Sequence, residues 1–253
     1  MNKTVVIIGI GELGSVFARG FLRLGYPVYP VTRKISISDA ITNCPEPKFV
    51  LAAVGEKDLS NILTIIPTQW RNRLGLLQNE LLPHQWKIHN IDSPTVVIVW
   101  FEKKKGQDCK VLLPSRIYGP NDRLIVDALE SLEIPSKILS NEEELLFELI
   151  IKNIFVLTIN IAGIKTGGSV RTLWVEHNEL ARQIADEVID LQEWLTGATF
   201  PRDHLIDGLA EAINSDPEHK CKGRSAPERL ARVLKIADEA GLRLPKIREI
   251  QMS

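Results

Sequence analysis

Two groups of residues have types and spacings suited to chemistry. Gly9-Ile10-Gly11-Glu12-Leu13-Gly14 is a G-x-G-x-x-G that follows a β-branched run and opens a helical pattern. In that position Gly9 permits a tight turn, Gly11 lets backbone approach a pyrophosphate, and Gly14 lets helix and strand pack closely. The first helical N–H groups, those of Glu12 and Leu13 among them, would then face the phosphates with the positive end of the helix dipole behind them. The chemistry implied is dinucleotide binding, and the plain competitor is a glycine-rich turn with no ligand. About twenty residues past the first glycine an NAD site would carry an acid for the ribose hydroxyls. This chain has Thr32-Arg33-Lys34 there. Cations cannot accept from a hydroxyl but pair well with a 2′-phosphate, so the expected cofactor is NADP(H), with Arg33 as the clamp and Thr32 as a donor. The competing reading leaves Arg33 as a solvated surface side chain.

The second group is Lys152 within Leu145 to Ile164, an apolar stretch about as long as a bilayer span that also holds Glu148, Asn153 and Asn160. Four polar positions are costly in lipid and ordinary in a helix crossing a domain core beside a cleft, so the segment reads as a buried soluble helix. Glu148 and Lys152 stand i, i+4, the spacing of an ordinary helical ion pair. A lysine among Leu149, Ile150, Ile151, Ile154 and Phe155 also demands a polar cavity or a partner, which suits a proton-donating cation. The five histidines show no metal-ligand spacing and read as surface or capping residues.

The elements that must position these groups change character along the chain. Thr4 to Ile8 reads as a central strand, Glu12 to Leu24 as an amphipathic helix closed by Gly25, and Pro27 to Val31 as a second strand. Lys34 to Lys48 reads as a short connection before a third strand, Phe49 to Val54, and a helix from Asp58 to Ile66. Arg73 to Gln78 and Pro94 to Phe101 read as the fourth and fifth strands, the fifth forming a hairpin with Cys109 to Leu113 across a lysine-rich tip at residues 103 to 108 that looks merely solvated. A helix from Asn121 to Leu132 and a short strand, Lys137 to Leu139, complete a parallel-sheet pattern with helical crossovers. From Ser140 the chain is almost continuously helical: a long helix to Ile164, another stretch from Val170 to Leu195, then Asp203 to Ile213 and Pro227 to Ala240. The expectation is an α/β dinucleotide-binding domain over residues 1–140 and an all-helical domain over 141–253.

Composition agrees with a compact soluble chain: of 253 residues 44% are hydrophobic and 25% charged. A formal charge of −1 excludes a global basic surface for nucleic acid or anionic lipid, so any anion site is local. Cys44, Cys109 and Cys221 form no disulfide framework and fit a reducing compartment. Met1-Asn2-Lys3-Thr4 leads straight into the first strand without the pattern of a signal peptide, which points to the cytoplasm. The apolar surface of the long helices makes a homodimer plausible. The expected partner is a small-molecule substrate.

Later residues resemble the ketopantoate reductase (2-dehydropantoate 2-reductase) family. Leu76-Leu77-Gln78-Asn79-Glu80 resembles its strand-end Gln-Asn-Gly, Lys152 and Asn160 resemble the first helix of its second domain, and Gly223-Arg224-Ser225-Ala226-Pro227-Glu228 is similar to its Gly-Arg-x-Thr-Glu. The resemblance implies a Rossmann-type domain followed by a helical domain like the C-terminal one of 6-phosphogluconate dehydrogenase, and NADPH-dependent reduction of a 2-keto acid. It implies catalytic roles for Lys152, Asn79 and Glu228, with Asn79 also near the nicotinamide, and substrate contacts from Asn160 and Ser215. The bland readings are a turn cap for Asn79 and surface positions for Ser215 and Glu228. The chain departs from the family at Gly55, Glu80 and Val156. A non-catalytic NADP(H)-binding sensor, or a reductase of a different small substrate, therefore stands beside the reductase reading.

Overall fold

The computed structural model describes residues 3–252, so Met1 and Asn2, which carry part of the leader argument, lie outside it. The contacts divide the chain into two units, Met1–Glu148 and Leu149–Ser253.

The first unit is built on a seven-stranded sheet. Its strands are β1 (Val5–Ile8), β2 (Val28–Val31), β3 (Phe49–Ala52), β4 (Leu74–Leu76), β5 (Thr95–Ile98), β8 (Ser115–Tyr118) and β9 (Ser136–Ile138), in the spatial order β2-β1-β3-β4-β5-β8-β9. β1 to β5 run parallel, β8 is antiparallel to β5, and β9 is parallel to β8. Every residue of β1, β3 and β5 is buried, as continuous apolar runs in a doubly covered sheet should be. β2 is an edge strand and tolerates Pro30, which a central strand would not. The chain leaves β1 toward β2 and returns to β3 on the other side, so the order reverses between β1 and β3. Crevices at such reversals, outside the carboxyl ends of the strands, are where open α/β sheets bind ligands. Helices α1 (Glu12–Arg23) and α5 (Asp122–Glu130) pack on each other, with Gly20 at the carbonyl of Ala128.

Three details differ from the sequence reading. The Lys34 to Lys48 connection contains helix α2 (Ile37–Asn43), started by a reciprocal capping box between Ser36 and Asp39. After α3 (Glu56–Ile65), a 3-10 turn (Thr68–Arg73) precedes β4, and α4 (Pro83–Lys87) follows it. The apolar run from Thr95 is split: β5 stays in the main sheet with β8, whereas β6 (Phe101–Glu102) leaves to form a separate antiparallel ribbon with β7 (Lys110–Val111). The split occurs at Trp100, whose N–H donates to Ser115 Oγ at 3.0 Å and whose carbonyl accepts from Leu112 N.

The second unit is helical. Its elements are the greater part of α6 (Glu142–Thr166), then α7 (Val170–Glu176), α8 (Asn178–Thr196), α9 (Arg202–Ser215), α10 (Ala226–Ala240) and α11 (Pro245–Gln251). The expected single helix from Val170 to Leu195 is two, because the chain leaves helical geometry at His177 (φ −123°, ψ 34°). α6 passes the length and hydropathy test for a membrane span, but 72% of its most apolar window is buried inside the protein. Asn153 of α6 donates to Gln192 of α8 at 2.9 Å, and Gly208 of α9 sits where a Cβ would meet Ile151. Buried Glu187 of α8 accepts from Lys246 N (2.7 Å) and Ile247 N (2.9 Å), capping α11.

Candidate active site

In the first unit the glycine turn sits at the carboxyl end of β1. Gly9 adopts φ +96°, its N–H donates to Val31 O at 2.9 Å, and a Cβ there would come within 2.7 Å of Ala53 O. A Cβ on Gly14 would run into the carbonyl oxygen of Gly9, so the turn and the first turn of α1 can be this close only with glycine at both places. Gly11 differs: an added Cβ would meet nothing within 4 Å. Nothing in the fold demands glycine at 11, and the open space lies at the N-cap of α1, which has no side-chain cap. Glu12 opens the helix, Leu13 is half-buried, and their N–H groups precede the first intrahelical bond, from Ser15 N to Gly11 O. This cradle fits a dinucleotide pyrophosphate.

Beside it, at the end of β2, Thr32 shapes a tight loop: its N–H donates to Ile35 O, and its Oγ1 accepts from Lys34 N (3.1 Å) and Ile35 N (3.3 Å). Arg33 lies exposed on that loop. On the other side of β1, buried Gln78 donates to Ala52 O (2.6 Å) and Val54 O (3.1 Å) and accepts from Leu77 N, tying the end of β4 to that of β3. This clamp holds the backbone of Asn79, whose amide donates to Glu56 Oε1 at 3.3 Å. Sequence reasoning named Asn79 and missed the clamp; a polar residue directly after a buried strand was the available signal. Glu80 adopts φ +59°, the left-handed region, which accounts for a glycine preference at this turn.

The second unit gathers Lys152, Phe155, Asn160 and Arg229. Lys152 Nζ stands 5.7 Å from the centroid of the Phe155 ring. Burial, and secondarily the Arg229 guanidinium, push its ammonium down from 10.5 to about 7. Asn160 accepts from Arg229 Nη1 at 3.1 Å and from Gly223 N at 3.3 Å, and donates one amide hydrogen to Val156 O at 2.9 Å. His219 also lies against Phe155, ring centroids 6.2 Å apart, with Nδ1 3.6 Å from Asp216 Oδ2. Glu148 pairs with Arg116 at 3.1 Å, an ion pair within the first unit.

The remaining expected residues lie nearby with different surroundings. Ser215, half-buried at the end of α9, donates its hydroxyl to Ala212 O at 2.7 Å. Glu228 is exposed in the first turn of α10, while its neighbour Arg229 is the buried one facing Asn160. Arg229 escaped the sequence reading because helix phase, rather than residue type, selects which of the two turns inward. Together the unit offers a near-neutral amine, a fixed guanidinium and an amide donor, a set that can bind a carboxylate-bearing molecule and exchange a proton with it.

No protein-family model and no curated protein matches the chain. Solved structures do share its fold. A 2-dehydropantoate 2-reductase from Methylococcus capsulatus superposes with a TM-score of 0.70 at 11% identity, over 98% of this chain and 94% of that one. A PanE/ApbA family ketopantoate reductase from Ralstonia eutropha gives 0.70 at 14%, over 98% and 95%. A D-mandelate dehydrogenase solved with NADH and anilino(oxo)acetate gives 0.66 at 11%, over 98% and 96%. The chain therefore has the fold of these proteins: a Rossmann-like sheet unit followed by a helical unit.

Proposed function

We propose that this protein is an NADP(H)-dependent reductase of a small 2-keto acid, similar in activity to the ketopantoate reductases whose fold it shares. The observation that carries the reading is Lys152: an ammonium held near a pKa of about 7 among apolar neighbours and acted on by Arg229, which in turn holds Asn160. A folded chain gives up several kcal/mol to keep a lysine in this state, and such groups cluster where protons move.

Hydride is what bound NADPH would supply. As the substrate's carbonyl oxygen gains negative charge, Lys152 donates its proton to that oxygen. A pKa of about 7 keeps both of its forms present near neutral pH, so one amine serves as the acid in reduction and the base in the reverse direction. Arg229 acts on Lys152 by like-charge repulsion and fixes the side chain of Asn160. Asn160 and Ser215 are assigned to the substrate's hydroxyl and carboxylate groups, Glu228 to a substrate hydroxyl or to orienting the lysine, and Asn79 to the nicotinamide. Gly9, Gly11, Glu12, Leu13 and Gly14 are assigned to the pyrophosphate, and Thr32 and Arg33 to the 2′-phosphate that separates NADPH from NADH.

A second reading has its own support: the Ser215 hydroxyl is spent on its own helix, and Glu228 is exposed. These favour an NADP(H)-binding sensor without turnover. NADPH consumption, followed by absorbance with ketopantoate and a panel of branched 2-keto acids, separates the two. The reductase reading expects turnover on a panel member and a loss of roughly 10²–10⁴-fold in Lys152→Ala. Tight NADPH binding with no turnover on any of them would favour the sensor.

A further inference from the structure

The lysine-rich tip of the β6–β7 ribbon reads from sequence as solvated, and two of its lysines are: Lys104 and Lys105 are exposed. Lys103 is not. Its side chain is only 20% exposed, and its Nζ lies 3.6 Å from Oε2 of Glu12, the first residue of α1. The ribbon is seated on α1: Phe101 is buried, its ring 6.2 Å from that of Phe17, and Cys109 and Val111 pack against the same core. Lys103 Nζ also donates to Lys104 O at 2.9 Å, which steadies the side chain within the tip. Lys103 of the ribbon tip and Arg19 of α1 both act electrostatically on Cys109.

We propose that Lys103 binds the pyrophosphate of the dinucleotide, closing the glycine cradle from the ribbon side; this rests on the cofactor reading above. The backbone of the turn supplies N–H donors and an opening at Gly11, and among the described residues Lys103 is the cation whose ion pair places it at the start of α1. The ammonium already stands against the half-exposed carboxylate of Glu12 at the helix start, so binding needs only the exchange of that carboxylate for phosphate oxygens. Phosphate contacts by lysine act as point charges and do not discriminate between cofactors that share the pyrophosphate.

That property gives the test. NADPH and NADH binding are measured by fluorescence titration for the wild type, Lys103→Met and Arg33→Ala, with thermal unfolding to confirm that each variant folds. Lys103→Met should weaken both cofactors alike, by roughly tenfold or more, and flatten the salt dependence of binding. Arg33→Ala should weaken NADPH alone. Glu12→Gln, which frees the ammonium, should tighten both. If Lys103→Met binds both cofactors as the wild type does, Lys103 is only an ion-pair partner and the inference is overturned, while the cofactor reading stands. Loss confined to NADPH would assign Lys103 to the 2′-phosphate and equally overturn it. A wild type that binds neither cofactor overturns the cofactor reading and this inference with it.

Discussion

Lys152→Met should stabilise the protein, by an amount that shrinks as pH rises. Methionine nearly matches the lysine stem in volume and carries no charge to desolvate. In the folded chain the amine titrates at about 7 instead of 10.5. At about 1.36 kcal/mol per pH unit, keeping it protonated inside the fold costs about 4–5 kcal/mol. Between those two values the unfolded chain holds the proton that the folded chain has released, so wild-type stability rises with pH across this window, and below about pH 7 the full cost is present. The advantage of the variant is then about 4 kcal/mol at pH 7 and about 1 kcal/mol at pH 10, less about 0.5–1 kcal/mol at the low end for the lost contact with the Phe155 face. Urea unfolding of both proteins, followed by far-UV circular dichroism at several pH values from 6 to 10, measures the difference directly. A difference that is flat across that range, or a variant less stable than wild type at pH 7, would refute the account of Lys152 as a desolvated amine.

Gly11→Ala and Gly14→Ala should separate binding from folding. The first meets no atom of the protein and should leave the melting temperature unchanged while NADPH affinity drops at least about tenfold, whereas the second collides with the Gly9 carbonyl and should lower stability by about 2 kcal/mol or more. Glu187→Ala removes the carboxylate that accepts two backbone N–H groups of α11 and should cost roughly 1–3 kcal/mol in chemical denaturation. Glu133, exposed at φ +61° just past α5, occupies the left-handed closing position of a turn in which Leu129 O accepts from Leu132 N and Ile134 N; Glu133→Gly should raise stability by about 0.5–1 kcal/mol.

Much of the fold was legible because its signals are local. Continuous apolar runs produced β1, β3 and β5, helical patterning produced α1, α5, α9 and α10, the capping residues and acids at 140–144 opened α6, and Gly25 and Gly241 sit at φ +77° and +68° just past α1 and at the end of α10. α2 was signalled by Ser36 and Asp39, yet its short length and proline-rich flanks read as a loop. α4, the 3-10 turn and α11 are too short for periodicity to register; α11 is held by Glu187, far away in sequence.

What the sequence determined by itself is the chemistry that each segment could hold: a glycine turn for phosphate at Gly9 to Gly14, cations after β2, a lysine and an asparagine on one apolar helix. These depend on residue type and short spacing, which chain connectivity preserves. What only the tertiary structure decided is which side chains share an environment. The apolar run at Thr95 could pair with either of two later strands, and the choice was made at Trp100 and Ser115. Whether Glu228 or Arg229 turns inward depended on the seating of α10, and whether the 103–105 lysines were all solvated depended on Phe101 packing on Phe17. Each is a choice between alternatives nearly equal in local energy, settled by burial against residues tens of positions away, and sequence spacing carries no record of those contacts.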